Sequence, residues 1–162
     1  MTYSKSDFLV SPQWLYEHKD ESDLVIVDCP WEFYSYTRAH IPGAKCRLGH
    51  PYVKSKDENG NPILHLPSPE EIIKLTKELE ISPETTVVLY DEWGTIFAAR
   101  LWWVLKYYGH DRVKILNGGW QGWVSAGLPI SVQTPKSLKV DSVFVPAPRP
   151  ERLATLEQIK KH

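Results

Sequence analysis

Thr86-Val87-Val88-Leu89-Tyr90 is apolar without alternation. It breaks at Asp91 into Glu92-Trp93-Gly94-Thr95, and a second apolar stretch runs from Ile96 to Tyr108. A short unbroken apolar run is the pattern of a strand buried on both faces. A buried strand that enters a glycine-containing loop and then a helix aims the loop amides and the helix N-terminus at one point. That arrangement holds an anion or a nucleophile. The first loop residue carries the chemistry of such a site, and here it is Asp91.

The rest of the chain supplies the frame. Ser11-Pro12 places a hydroxyl N-cap before a proline at the first helical position, predicting a helix through about Lys19. Leu24 to Val27 predicts a second doubly buried strand, ending at Asp28. Residues 31–39 read as a short helix or turn, and His40-Ile41-Pro42-Gly43-Ala44 as a turn into a short strand near Lys45 to Leu48. Residues 49–67 read as an extended loop. Ser68-Pro69-Glu70-Glu71 has the capping-box pattern and opens a helix to about Glu80. After the 86–90 strand and the 96–108 helix come a strand at Val113 to Leu116 and a helix from near Gly119. Helices alternating with apolar strands predict an α/β fold, a five-stranded, mostly parallel sheet with helices on both faces.

Composition excludes several classes of function. The 162 residues are 42% apolar with seven tryptophans, enough for one packed domain and some further chain. A formal net charge of −1 gives no reason to expect a nucleic-acid or membrane partner. Met1 to Asp7 lacks the apolar core of a signal peptide, and no run is long enough to span a bilayer. Two cysteines, Cys29 and Cys46, do not make a disulfide framework, so the expectation is a reduced, cytoplasmic protein. His18, His40, His50 and His65 lack the spacing of a metal site, and no metal or cofactor is expected. His40 reads as a structural residue that bonds backbone.

Residues 131–151 hold four prolines and little periodicity, the composition of a linker. Beyond them, Leu153 to His162 parallels Leu9 to His18: an apolar pair, a hydroxyl cap, Leu or Ile four residues later and a terminal histidine. Thr155 and Gln158 form a second capping box. The expected organisation is a domain over residues 1–131, a linker over 132–151 and, over 152–162, the start of a truncated second copy.

Several blocks in this order carry a family resemblance: Val27-Asp28, Arg38-Ala39-His40-Ile41-Pro42-Gly43-Ala44, the strand-loop-helix at 87–103, Leu116-Asn117-Gly118-Gly119-Trp120 and Trp123 to Pro129. Over residues 8 to 131 the chain resembles a rhodanese domain. Ala98 to Trp103 makes it similar to the N-terminal, non-catalytic domain of tandem sulfurtransferases of the thiosulfate or 3-mercaptopyruvate type. The resemblance implies a parent enzyme that moves sulfane sulfur from such a donor to a thiophilic acceptor through a loop cysteine. Here Asp91 stands at that cysteine's position. It is followed by Glu92, Trp93, Gly94, Thr95 and Ile96, so this chain is expected to be inactive and the active cysteine to lie in a second rhodanese domain. Cys29 and Cys46 lack a cradle of amides and read as inert thiols. His65, in a His-Leu-Pro loop, resembles a residue that the N-terminal domain lends to its partner's site. Arg100, Phe97 and Trp93 are the interface candidates. The partners implied are that second domain and, through it, a small sulfur donor.

The sequence offers two alternatives. Asp91 before Gly94-Thr95 resembles the nucleophile motif of haloacid-dehalogenase-type phosphohydrolases, but Trp93 stands where that motif needs its second aspartate. The other is a free-standing protein-interaction module on the rhodanese scaffold, without catalysis.

Overall fold

The two unbroken apolar runs become the central strands of a sheet, and their side chains sort by parity. The computed structural model describes residues 7–48, 55–56, 58–60, 62–63, 66–135, 142–154 and 159–160. In chain order the elements are β1 (Leu9–Val10), α1 (Pro12–His18), β2 (Leu24–Asp28), α2 (Phe33–Arg38), β3 (Lys45–Cys46), β4 (Ser55–Lys56), β5 (Pro62–Ile63), α3 (Pro69–Glu78), β6 (Thr86–Tyr90), α4 (Ile96–Tyr107), β7 (Val113–Leu116) and α5 (Gly119–Ser125). Val25 and Val27 of β2 and Val87 and Leu89 of β6 pack with Ile72 and Leu75 of α3 and Leu101, Val104 and Leu105 of α4. The alternate residues, Leu24, Ile26, Val88 and Tyr90, meet Leu15 of α1 and Trp123 of α5 on the other face. Both faces are therefore covered, and the sequence has no reason to alternate.

The main sheet has the order β1-β7-β6-β2-β3, with every pairing parallel. Val27 of β2 stands opposite Leu89 of β6 and Lys45 of β3. From β2 the chain first moves outward to β3, then returns across β2 to β6 and β7. The order reverses between β2 and β6, and their C-terminal ends, Asp28 and Tyr90, face each other there.

The helix starts obey the sequence. Ser11 Oγ accepts from the Trp14 amide at 3.1 Å. The Ser68–Glu71 capping box closes at 3.3 and 2.7 Å. Elsewhere the structure adds to the sequence reading. Leu9–Val10 is an edge strand on β7, β3 stops at Cys46, and the 49–67 segment contains a two-residue antiparallel pair, Ser55–Lys56 with Pro62–Ile63. Strands this short carry no periodic signal.

Part of the segment read as a linker is docked. Phe144 is buried in the α3/α4 core. The amides of Ala147 and Arg149 donate to Tyr108 O (2.8 Å) and Tyr107 O (2.9 Å). The Arg149 guanidinium grips Asp111 at 2.8 and 2.6 Å, and its hydrogen bonds hold the Asp111 carboxyl well below the usual carboxylate range. His40 bonds backbone as expected, with Nδ1 2.9 Å from Tyr36 O and Nε2 3.0 Å from Gln133 O. The second capping box, Thr155 and Gln158, lies outside the described residues.

Candidate functional site

β6 delivers Asp91 to the switch point fully buried. Its carboxylate is saturated by the loop that follows. Oδ1 accepts the amides of Trp93 (2.8 Å) and Thr95 (2.8 Å). Oδ2 accepts those of Phe97 (2.9 Å) and Ala98 (2.9 Å), the second and third positions of α4. Thr95 is the formal N-cap but contributes no capping side chain, so Asp91 does that work from four residues upstream. The loop turns tightly enough to permit this because Gly94 and Thr95 are both left-handed, with φ of +72° and +71°. For threonine that conformation costs about 1 kcal/mol. Asp91 thus caps α4 and satisfies the loop. The same four amides are thereby withdrawn from any external anion.

The loop is pinned from behind by α5. Asp91 O accepts the Trp120 amide at 3.0 Å, and Glu92 O accepts Gln121 Nε2 at 2.7 Å. A Cβ on Gly119 would lie 2.6 Å from Asp91 O, and its φ is +55°, so only glycine fits there. The Gly118-Gly119-Trp120 block thus exists to seat the Asp91 peptide.

Beside the loop lies an open cleft lined by Asp28, Ser35, Arg38, Tyr90, Glu92 and Trp120. Asp28 is buried at the end of β2. Its Oδ2 accepts the Tyr90 hydroxyl at 2.9 Å, and that hydroxyl accepts the Ile41 amide at 3.1 Å. Burial pushes the Asp28 carboxyl up to about 7, against the Tyr90 hydrogen bond, with Glu92 and Asp91 adding to the rise. Sequence reading passed over Asp28, because its environment is built by Tyr90 and Ile41 from distant parts of the chain. The usable signal was an acidic residue ending a doubly buried strand.

Neither cysteine sits in a setting that activates a thiol. Burial pushes the Cys29 thiol far up and the Cys46 thiol up to about 12, with Asp28 adding to both. Both remain thiols at neutral pH, since the nearby Arg47 offsets only part of the effect of burial and reactivity requires the thiolate.

The interface candidates divide. Trp93 is 56% exposed, as anticipated, beside an exposed Ile96. Phe97 is instead half-buried against the α3/α4 core, with Trp31 tilted over it at 5.6 Å. Arg100 lies over the Trp103 ring at 5.0 Å. The carboxylates of Asp28 and Asp91 are engaged by the Tyr90 hydroxyl and by backbone amides. Trp31, Phe33 and Tyr34 extend the exposed aromatic rim and were not anticipated. His65 lies outside the described residues. Among the described residues no group of His, Cys, Asp and Glu is arranged to hold a metal, and no helix is long and apolar enough to cross a membrane.

Comparison with known proteins agrees with this geometry. The sulfur carrier protein TtuD of Thermus thermophilus is 34% identical over 136 residues, covering 83% of this chain and 46% of that protein. The thiosulfate sulfurtransferase of Gallus gallus is 31% identical over 163 residues, covering 93% of this chain and 55% of that protein. The crystal structure of SseA from Escherichia coli, described as a 3-mercaptopyruvate sulfotransferase, superposes with a TM-score of 0.80 at 26% identity, over 95% of this chain and 60% of that one. The chain spans about half the length of these curated relatives. A model of the rhodanese-like domain matches residues 11–126, and the chain belongs to that family.

Proposed function

We propose that this chain is the N-terminal, non-catalytic rhodanese-like domain of a cytoplasmic tandem sulfurtransferase, whose second domain carries the reactive cysteine. The observation that carries this reading is the Asp91 carboxylate, held at the nucleophile position by two loop amides and two amides of the first turn of α4.

Sulfane transfer needs a thiolate there. The thiolate attacks the outer sulfur of thiosulfate, a new S–S bond forms, and sulfite leaves with the electron pair of the broken bond. With 3-mercaptopyruvate as donor the sulfur leaves carbon and pyruvate is released. The persulfide then passes its outer sulfur to a thiophilic acceptor. A carboxylate forms no persulfide, and its fixed charge repels an anionic donor. The role left to this domain is to cover and shape the partner domain's site, and the aromatic rim of Trp93, Trp31, Phe33 and Tyr34 suits that role.

The coding sequence after the His162 codon tests the tandem reading. A second domain with a cysteine at the strand-to-loop junction is expected. A stop codon there would favour the free-standing interaction module instead, which the same aromatic rim would serve.

A further inference from the structure

We propose that the cleft between β2 and β6 binds a small organic cation, the primary ammonium head of a free amine. Four observations meet there. The cleft sits where the strand order reverses, at the C-terminal ends of β2 and β6, the place where open α/β sheets bind ligands. Asp28 is only 6% exposed, and among the described residues its carboxylate accepts one hydrogen bond, from the Tyr90 hydroxyl on Oδ2. Asp28 lines the cleft, and among the described residues no donor meets its Oδ1. A buried carboxylate oxygen in this position asks for a donor from outside.

The charges favour a cation. Glu92 stands at the same cleft, and the opposing cation is Arg38, 4.0 Å from Glu92 and 60% exposed. With Asp28 ionised, the cleft carries one net negative charge. Trp120 lines the cleft beside the buried Tyr90, and aromatic rings attract organic ammonium ions. An anion finds no amides, because Asp91 has taken them. A carboxylate oxygen needs a donor, which a primary ammonium offers and a quaternary one lacks.

The groups that face Asp28 set its pH dependence. They are Tyr90 from β6, Asp91 and Glu92 from the loop, Cys29 after β2, Cys46 from β3, and Tyr36 and Arg38 from α2. Binding needs the ionised carboxylate, whose midpoint lies at about 7. Affinity therefore rises with pH and is roughly tenfold higher at pH 8 than at pH 6. By linkage the bound cation lowers the Asp28 midpoint.

The test is a titration of the intact chain with methylammonium chloride, followed by amide and carboxyl chemical shifts. Sodium chloride and tetramethylammonium chloride serve as controls, and a short lysine-containing peptide as a separate arm. Saturable shifts at Ser35, Glu92 and Trp120 are expected with methylammonium alone. They should be lost in Asp28→Asn, weakened severalfold in Glu92→Gln and weakened at pH 6. A downward move of the Asp28 midpoint should accompany them. Absence of saturation, equal binding by Glu92→Gln, or the same shifts with tetramethylammonium would overturn the proposal. Binding of the peptide without binding of methylammonium would overturn it too, by placing the cation on a protein partner. None of these outcomes depends on sulfur transfer.

Discussion

Replacing Asp91 by asparagine removes one charge and almost no volume, yet the structure makes it a severe change. Each carboxylate oxygen accepts two amides. An asparagine side chain has one oxygen, so whichever way it flips, its NH₂ faces two N–H donors. The favourable flip gives the oxygen to Phe97 and the buried Ala98 amide and strands those of Trp93 and Thr95. Hydrogen bonds to a charged group contribute about 1.5–3 kcal/mol each, so two lost bonds amount to about 3–6 kcal/mol. The Trp93 and Thr95 amides are only part-buried, and water can recover some of that. The expected loss is about 2–4 kcal/mol, read by urea unfolding with tryptophan fluorescence. Glu92→Gln, in the same loop, should stay within about 1 kcal/mol of wild type. If Asp91→Asn unfolds at the wild-type urea midpoint, or matches Glu92→Gln, the carboxylate does not organise the loop and the reasoning fails.

Gly119→Ala should destabilise by at least about 2 kcal/mol, because its Cβ would press on Asp91 O at 2.6 Å in a left-handed backbone; equal thermal midpoints would show that α5 can shift. Asp28→Asn tests a linkage. The folded carboxyl titrates at about 7, above its unfolded value, so ionising it costs the folded state stability. That cost is absent below about pH 4, grows as pH rises to 7 and is complete above it. The asparagine variant should therefore gain on wild type by roughly 2–4 kcal/mol between pH 4 and pH 8, and a pH-independent difference in urea stability would contradict the assignment. Phe144→Ala should cost about 3–5 kcal/mol and speed hydrogen exchange at the Ala147 and Arg149 amides, which hold the docked strap; unchanged exchange would mean that Phe144 is not its anchor.

What the sequence made legible follows from how many residues carry each signal. Leu24–Val27 and Thr86–Tyr90 announce buried strands because five or so apolar residues repeat one message. Ser11, Ser68 and their prolines announce helix starts because caps are local chemistry. Asp91 was legible because its four donors all lie within the next seven residues. Leu9–Val10 was not, since a two-residue strand exists only through its pairing with Ile115 and Leu116. Phe144 sits among prolines in a loop-like composition, and its burial depends on Tyr107 and Tyr108 holding the neighbouring backbone. Phe97 was expected to be exposed but is covered by Trp31, which arrives from the far side of β2. Asp28 shows the same limit at the site itself, since its partner Tyr90 is distant in sequence and adjacent only across the β2–β6 register.

In the proposed function the Asp91 carboxylate stands in place of a sulfur-carrying thiolate. Intact-mass spectrometry of the chain after incubation with thiosulfate, and separately with 3-mercaptopyruvate, tests it most directly. The account predicts an unchanged mass, with Asp91 unable to bind sulfane sulfur and both thiols held protonated by burial. A stoichiometric gain of one sulfur atom, lost in Cys29→Ala or Cys46→Ala and accompanied by thiocyanate formation from cyanide, would contradict it.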